Sequence, residues 1–252
     1  MFYAQREQLI LQELQLNSIV DVNELSRSLS VSVDTIRRDL RQMENSGLVK
    51  CVRGGACLPE SKSAISNFKG REIIHSDLKR AAARKALREI HGGDVIAMNS
   101  GTTNTILAQE LLSFSEPLTV VTNNLAAAVI LMQNPGINLI LIGGMTDGQE
   151  QSTCGAECVR AFGEYYPDTA FLSINAVSNR DGYTDFRMHE IPVIQTLASR
   201  AKRVIAVMDS SKLGKCSKRK VLNSSEVDLL LMDDNVPDDI AAAYHDKGFE
   251  IG

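Results

Sequence analysis

"VIAMNSGTTNTILAQELL", residues 95–112, reads as a buried strand, a tight turn of small residues, and a helix that opens directly on the turn. Asn99, Ser100 and Gly101 form the turn, and Thr102 and Thr103 start the helix. The first N–H groups of a helix have no acceptor within it, and the helix dipole favours an anion beside them. Gly101 allows close backbone approach, while Ser100, Thr102 and Thr103 add hydroxyl groups. This chemistry holds a phosphate. The same letters also spell an ordinary strand-to-helix turn capped by threonine, so the motif alone leaves both readings open.

Working outward, the chain from about Arg71 alternates apolar runs with amphipathic stretches. Candidate strands are "DVIAM", "LTVVT", "INLILIG", "TAFLSI", "RVIAVM", "VDLLLM" and a final "FEI". Helical stretches fall between most of them, at 78–90, 103–112, 125–133, 155–164, 186–200 and 238–246. This order predicts an α/β domain with a largely parallel sheet. Such sheets bind ligands outside the C-terminal ends of their strands. Polar residues cluster at those ends: Thr122, Asn123 and Asn124 after "VV", Gly143 and Gly144 after "LI", and Asp209, Ser210, Ser211 and Lys212 after "VM". A lysine beside an aspartate there can neutralise a phosphate or hold a sugar hydroxyl. It is equally what a surface loop contains.

Upstream the pattern changes. Residues 59–75 begin with "PESKSAISNFKG", poor in apolar residues and rich in Ser, Pro and Lys, and read as a linker between a small domain at 1–58 and the α/β domain at 76–252. In the small domain a first helix over about 4–16 places Ile10 and Leu14 on one face. Asp21 can cap a second helix with Glu24 reaching back, and Leu25 and Leu29 face inward. Ser32 is placed to cap a third, in which Val33, Ile36, Leu40 and Met43 recur at helical spacing. The opposite face carries Asp34, Thr35, Arg38, Arg41 and Gln42, with Arg37 on the flank. Arginine can make bidentate contacts to guanine, Thr35 can reach a base edge, and Asp34 can steer Arg38 or accept from cytosine. "GLVKCVRGGA", residues 47–56, suggests a helix stop, a strand and a Gly-Gly turn, hence a wing offering Lys50 and Arg53 to phosphates. From residue 37 to 53 five basic residues stand against two acidic ones, in a chain whose net charge is −4. Charge and spacing alone are shared by a DNA reader and by a helical docking module with solvated arginines.

The composition, 44% hydrophobic and 23% charged over 252 residues, is that of a globular protein. No apolar run approaches a membrane span. The first residues, "MFYAQREQLI", lack a charged-then-apolar secretion pattern, so the cytoplasm is the expected compartment. Five scattered cysteines argue against a disulfide framework. Cys154 and Cys158, the one close pair, find no further ligands nearby, and the four histidines lack metal-ligand spacing. No metal and no cofactor is expected.

"SVDTIRRDLRQMENSGLVKCVRGGA" resembles the winged helix-turn-helix signature of the DeoR family of bacterial transcription regulators, matching at Val31, Ser32, Thr35, Ile36, Arg37, Arg38, Asp39, Leu40, Gly47, Gly54, Gly55 and Ala56. The resemblance continues through Phe68, Arg71, Lys79 and Ala83, then "GTT", "VTNN", "GG", "GAECVRAF", "PDTAFLSI", Asp181–Gly182, His189–Glu190 and "DSSKLGK" in the family's order. It implies an effector domain similar in fold to ribose-5-phosphate isomerase, with phosphorylated sugars or polyols as ligands. The implied pocket involves Ser100, Gly101, Thr102, Thr103, Asn123, Glu190, Asp209 and Lys212, with Lys79 reaching the same phosphate. Where the family often has Asp two residues before the Gly of G-T-T, this chain has Asn99, which removes one negative charge. The expected protein is a repressor of a sugar or polyol catabolic operon. It binds an operator in double-stranded DNA as a homodimer or homotetramer, under effector control. The alternative is a phosphosugar isomerase or deaminase with a DNA-binding appendage. Isomerisation needs a positioned base, and "AFLSINAVSNRDG" offers only Asp181, several residues beyond Asn175 and Ser178, so no catalytic residue is expected.

Overall fold

The computed structural model describes residues 2–17, 19–52, 54–58 and 68–252. The chain divides into two compact units, Met1–Ser76 and Asp77–Gly252. Most of the stretch read as a linker, residues 59–67, lies outside the described residues. The rest of it includes a short helix.

The first unit runs α1 (Tyr3–Asn17), β1 (Ile19–Asp21), α2 (Val22–Ser28), α3 (Val33–Asn45), β2 (Lys50–Val52), β3 (Gly55–Cys57) and α4 (Phe68–Ile73). Helices α1 to α3 and the β2–β3 wing are those the sequence suggests; α4 is not. Ile10, Leu14, Leu25, Ile36, Leu40 and Met43 meet in one core with Val20, Val49 and Ala56. Asp21 Oδ1 accepts the Asn23 and Glu24 N–H groups at 2.7 and 3.1 Å, and so caps α2. Just past the end of α3 stands Gly47, whose φ of 71° only glycine adopts easily. There the N–H groups of Gly47 and Leu48 return to the carbonyls of Glu44 and Met43, closing the helix end. The wing is larger than expected, because β1 joins it in the antiparallel order β1-β3-β2. This third strand explains the second wing glycine: a Cβ on Gly55 would lie 1.8 Å from the Val20 carbonyl oxygen.

The second unit contains α5 (Ser76–Leu87), β4 (Val95–Met98), α6 (Thr102–Glu110), β5 (Leu118–Thr122), α7 (Leu125–Leu131), β6 (Ile137–Leu141), β7 (Met145–Asp147), β8 (Ser152–Cys154), α8 (Ala156–Phe162), β9 (Thr169–Leu172), β10 (Ala176–Ser178), β11 (Gly182–Asp185), α9 (Ile191–Arg200), β12 (Arg203–Val207), β13 (Arg219–Leu222), β14 (Leu229–Leu231) and α10 (Asp238–His245). Six strands form one parallel sheet in the order β14-β12-β9-β4-β5-β6. Both faces are covered, which is why these strands read as continuous apolar runs. Ile96, Met98, Val120, Phe171 and Ile205 pack with α5, α6 and α7 through Ala82, Leu107 and Leu131. Ala97, Val121, Leu172 and Ala206 pack with α8 and α9 through Phe162, Ile194 and Leu197.

Three expectations need correction. The helix expected over 186–200 begins only at Ile191, so Phe186–Glu190 is a turn. "FEI" makes only a bridge, Ile251 to Leu230. A second sheet, β10-β11-β13, and a hairpin, β7–β8, come from segments too short and polar to signal strands.

Candidate functional site

α3 sorts its residues by face. Ile36, Leu40 and Met43 are buried, and so is Asp39, whose carboxylate accepts Arg6 Nε and Nη2 at 2.6 and 2.9 Å and binds α3 to α1. Ser32 Oγ accepts the Thr35 N–H at 3.2 Å and lies 2.8 Å from Thr35 Oγ1, so both hydroxyls hold the helix start. Arg37, Arg38, Arg41 and Gln42 are exposed, as is Lys50 on β2. Asp34 pairs with Arg37 at 3.4 Å rather than with Arg38. On a helix surface the third residue on is as near as the fourth. Arg53 lies outside the described residues; the adjacent Gly54 turns the wing with φ of 88°. The result is an amphipathic helix with its base-reading residue types outward and its ion pair inward.

In the second unit β4 lies at the switch point of the sheet. The chain leaves it first toward β5 and β6, then returns to its other side at β9, β12 and β14. Crevices form at such points. α6 starts there with Gly101 at its N-cap (φ 140°), and no side chain caps it. The plain threonine cap is therefore not what these residues form. Ser100, Thr102, Thr103, Asn123 and Asn124 are all buried around this helix start. Among the described residues, four buried side-chain polar atoms here make no well-formed hydrogen bond: Ser100 Oγ, which stands beside the Glu190 carboxylate, Thr103 Oγ1, Asn104 Oδ1 and Asn123 Oδ1. Native buried polar groups are nearly always satisfied.

Gly101 has a reason besides ligand approach. A Cβ there would lie 2.4 Å from Ser173 Oγ, at the end of β9. Asn99 also serves this seam: its Nδ2 donates to the Ser173 carbonyl at 3.1 Å and its Oδ1 accepts the Ser173 N–H at 2.7 Å, extending the β4–β9 ladder through a side chain. Asn104 Nδ2 crosses the same seam to the carbonyls of Asn99 and Phe171. An aspartate at 99 could accept but not donate.

The turn before α9 supplies the charges. Arg187 Nη1 donates to the Ser100 carbonyl and Nη2 to the Ser173 carbonyl, both at 2.8 Å, while Nε and Nη2 grip Asp185 at 3.0 and 2.6 Å. Burial works against ionisation of Asp185, but Arg187 overcomes it and holds the carboxyl below the usual range. Glu190 accepts the Ser100 N–H at 2.8 Å and Asn123 Nδ2 at 3.2 Å. Burial pushes its carboxyl above the usual range, against the pull of Arg187 and these donors. Lys212 Nζ donates to the Ile174 carbonyl at 3.2 Å and lies 3.9 Å from the buried carboxylate of Asp209, which also accepts the Ser211 hydroxyl. Lys79 is buried on α5. The structure thus joins Ser100, Asn123 and Glu190 directly and brings Lys212 to Asp209. Asp185, Arg187, Ser173 and Asn104 were missed: Arg187 was read as part of a helix, and nothing local marks the others.

The five cysteines are free thiols; Cys154 and Cys158 are buried, and burial pushes the Cys158 thiol up to about 11. Among the described residues no group of three His, Cys, Asp or Glu could hold a metal, and no helix is long and apolar enough to cross a membrane.

Comparison with known proteins agrees with both units. Residues 6–62 match a DeoR-like helix-turn-helix domain, and residues 74–234 match a DeoR C-terminal sensor domain. Over its full length the chain is 33% identical to the HTH-type transcriptional regulator GolR of Listeria innocua, covering 98% of that protein. It is 28% identical to the glycerol-3-phosphate regulon repressor of Escherichia coli, covering 98% of each chain. Ribose 5-phosphate isomerase A of Methanocaldococcus jannaschii superposes on 55% of this chain and 54% of its own at 19% identity, with a TM-score of 0.41. By both its domain matches and its full-length relatives, the chain belongs to the DeoR family of DNA-binding transcriptional regulators.

Proposed function

We propose that this protein is a repressor of a sugar or polyol catabolic operon, whose affinity for its operator is set by a phosphorylated sugar or polyol bound at the start of α6. One observation carries the effector half: Thr103 Oγ1 is buried without a partner at a helix N-terminus that no side chain caps, with the Ser100 hydroxyl buried beside it. A phosphate there accepts from both hydroxyls and from the first helix amides. The name of the glycerol-3-phosphate regulon repressor includes a phosphorylated polyol, which favours the same ligand class. For the DNA half, Thr35, Arg37, Arg38 and Arg41 read and hold the major groove, while Lys50 of the wing and Arg53 beyond it take phosphates. Asp34 orients Arg37. So small a reading unit buries too little DNA surface to be selective alone, and the protein acts as a homodimer or homotetramer on repeated half-sites.

Control follows from linkage. An effector that prefers one of two states changes operator affinity by its differential affinity for them, typically about 1–3 kcal/mol. The site binds without conversion: Asp185 is held by Arg187, and Asp181 stands on the β10–β11 turn with Ser178 and Arg180. Two substitutions test the assignment. Arg38→Ala abolishes site-specific DNA binding. Thr103→Val spares it and removes the response to phosphorylated sugars. If both variants behave like wild type, the assignment is wrong; formation of a ketose from an aldose phosphate refutes binding without conversion.

A further inference from the structure

Beside the hydroxyls of Ser100 and Thr103 stands a carboxylate, an odd neighbour for a phosphate. Glu190 receives the N–H of Ser100, whose hydroxyl also stands beside it, and its other oxygen receives Asn123 Nδ2. A carboxylate has about four lone-pair positions, so both oxygens retain acceptor capacity. Asn123 Oδ1, on the same amide, is a buried acceptor with no donor. The cation of this network, Arg187, is bound to Asp185 and to the carbonyls of Ser100 and Ser173. The site is thus divided into a part that gives hydrogen bonds to an anion and a part that only accepts them. An acceptor-only part next to an anion site demands a donor attached to that anion.

We propose that Glu190 and Asn123 form a hydroxyl-reading pair that admits phosphate esters of hydroxylated chains and turns away inorganic phosphate and phosphorylated carboxylic acids. This deepens the phosphate reading above and rests on it. A polyol or sugar phosphate brings a hydroxyl to Glu190 and Asn123 Oδ1. Inorganic phosphate leaves Asn123 Oδ1 unsatisfied and sets its own charge against Glu190. A phosphorylated acid adds a second carboxylate beside Glu190, with Arg187 already engaged. Sites built to hold a hydroxyl discriminate strongly against analogues that lack it, because their own buried polar groups are then left unpaired.

The test is calorimetric titration of the full chain with inorganic phosphate and with two matched pairs: glycerol 3-phosphate against 3-phosphoglycerate, and glucose 6-phosphate against 6-phosphogluconate. Wild type is expected to bind at least one neutral-chain ester tenfold or more tighter than its acid counterpart and than inorganic phosphate, an order-of-magnitude bound on hydroxyl discrimination (~10-fold). Glu190→Gln, which removes the charge, collapses these ratios to within about threefold. Asn123→Ala keeps Glu190, weakens the ester and leaves inorganic phosphate unchanged; it decides the matter if the Gln variant does not fold. Unchanged ratios in the folded variants overturn the proposal. Thr103→Val is the separate control: it weakens every probe alike if the phosphate reading is right. If it has no effect while Glu190→Gln does, the phosphate placement fails and the hydroxyl pair stands. If no ester binds wild type, both fall.

Discussion

Asp39 sits in the middle of α3, the helix proposed to read DNA, yet faces the core, and replacing it gives the sharpest test of how that helix is held. Its side chain is 4% exposed and accepts two hydrogen bonds from Arg6, whose side chain is 12% exposed. Removing one partner of a buried ion pair costs about 3–5 kcal/mol, chiefly because the other charge is left without compensation. Arg6 keeps a further partner and some access to water, so Asp39→Ala belongs at the lower end, about 3 kcal/mol. A unit of this size holds only about 4–8 kcal/mol in total, and a loss of 3 lowers its folded-to-unfolded ratio by roughly 150-fold. Amide hydrogen exchange on the full chain reads this directly. Protection of α1 and α3 should fall by about that factor, with the second unit unchanged. The double replacement Arg6→Met with Asp39→Leu should recover most of it, because a buried pair can be exchanged for apolar packing at little cost. An Asp39→Ala variant within about 0.5 kcal/mol of wild type, the range of ordinary surface substitutions, would refute the argument.

Three further outcomes follow from the geometry. Gly55→Ala drives a methyl against the Val20 carbonyl and should break the β1–β3 pairing, so operator affinity falls sharply in a filter-binding assay while ligand binding persists. Asn99→Asp replaces the Nδ2 donor by a carboxylate oxygen that faces the Ser173 carbonyl with no hydrogen between them; that carbonyl keeps Arg187 Nη2, but the new buried oxygen lacks a donor, which should destabilise the second unit by about 1–3 kcal/mol in urea titration. Glu190 gives a pH dependence of defined sign: its folded pKa is raised by burial, so its contribution is full below the ordinary glutamate range and is lost as pH rises through the folded value. Wild type should therefore lose stability relative to Glu190→Gln as pH rises. A flat difference would mean that Glu190 is not desolvated.

How far sequence reaches depends on where a residue's partners come from. The strands of the parallel sheet are buried on both faces, so a run such as "LTVVT" carries its assignment within itself. α3 is equally self-contained, with its cap at Ser32 and its stripe of Ile36, Leu40 and Met43. Each wing glycine is visible as a turn former, but what Gly55 approaches is not, because its neighbours, the Val20 carbonyl and Asp21, lie on β1, 35 and 34 residues upstream. The proposed anion site divides the same way. Ser100 to Thr103 lie in one turn and announce it. Asn99 meets Ser173 across 74 residues and Ser100 meets Glu190 across 90. Arg187 looks like a helix-surface arginine until the turn before Pro192 carries it into the seam. β10, β11 and β13 are short polar segments that become strands only by pairing with one another.

The most direct measurement sequences the fragments of host DNA that the protein retains at moderate salt, with and without a pool of phosphorylated sugars and polyols. The account predicts a few discrete sites whose retention changes with the pool. Discrete sites indifferent to the pool would contradict the effector reading at Ser100 and Thr103. Retention without site preference would contradict the reading of α3 itself.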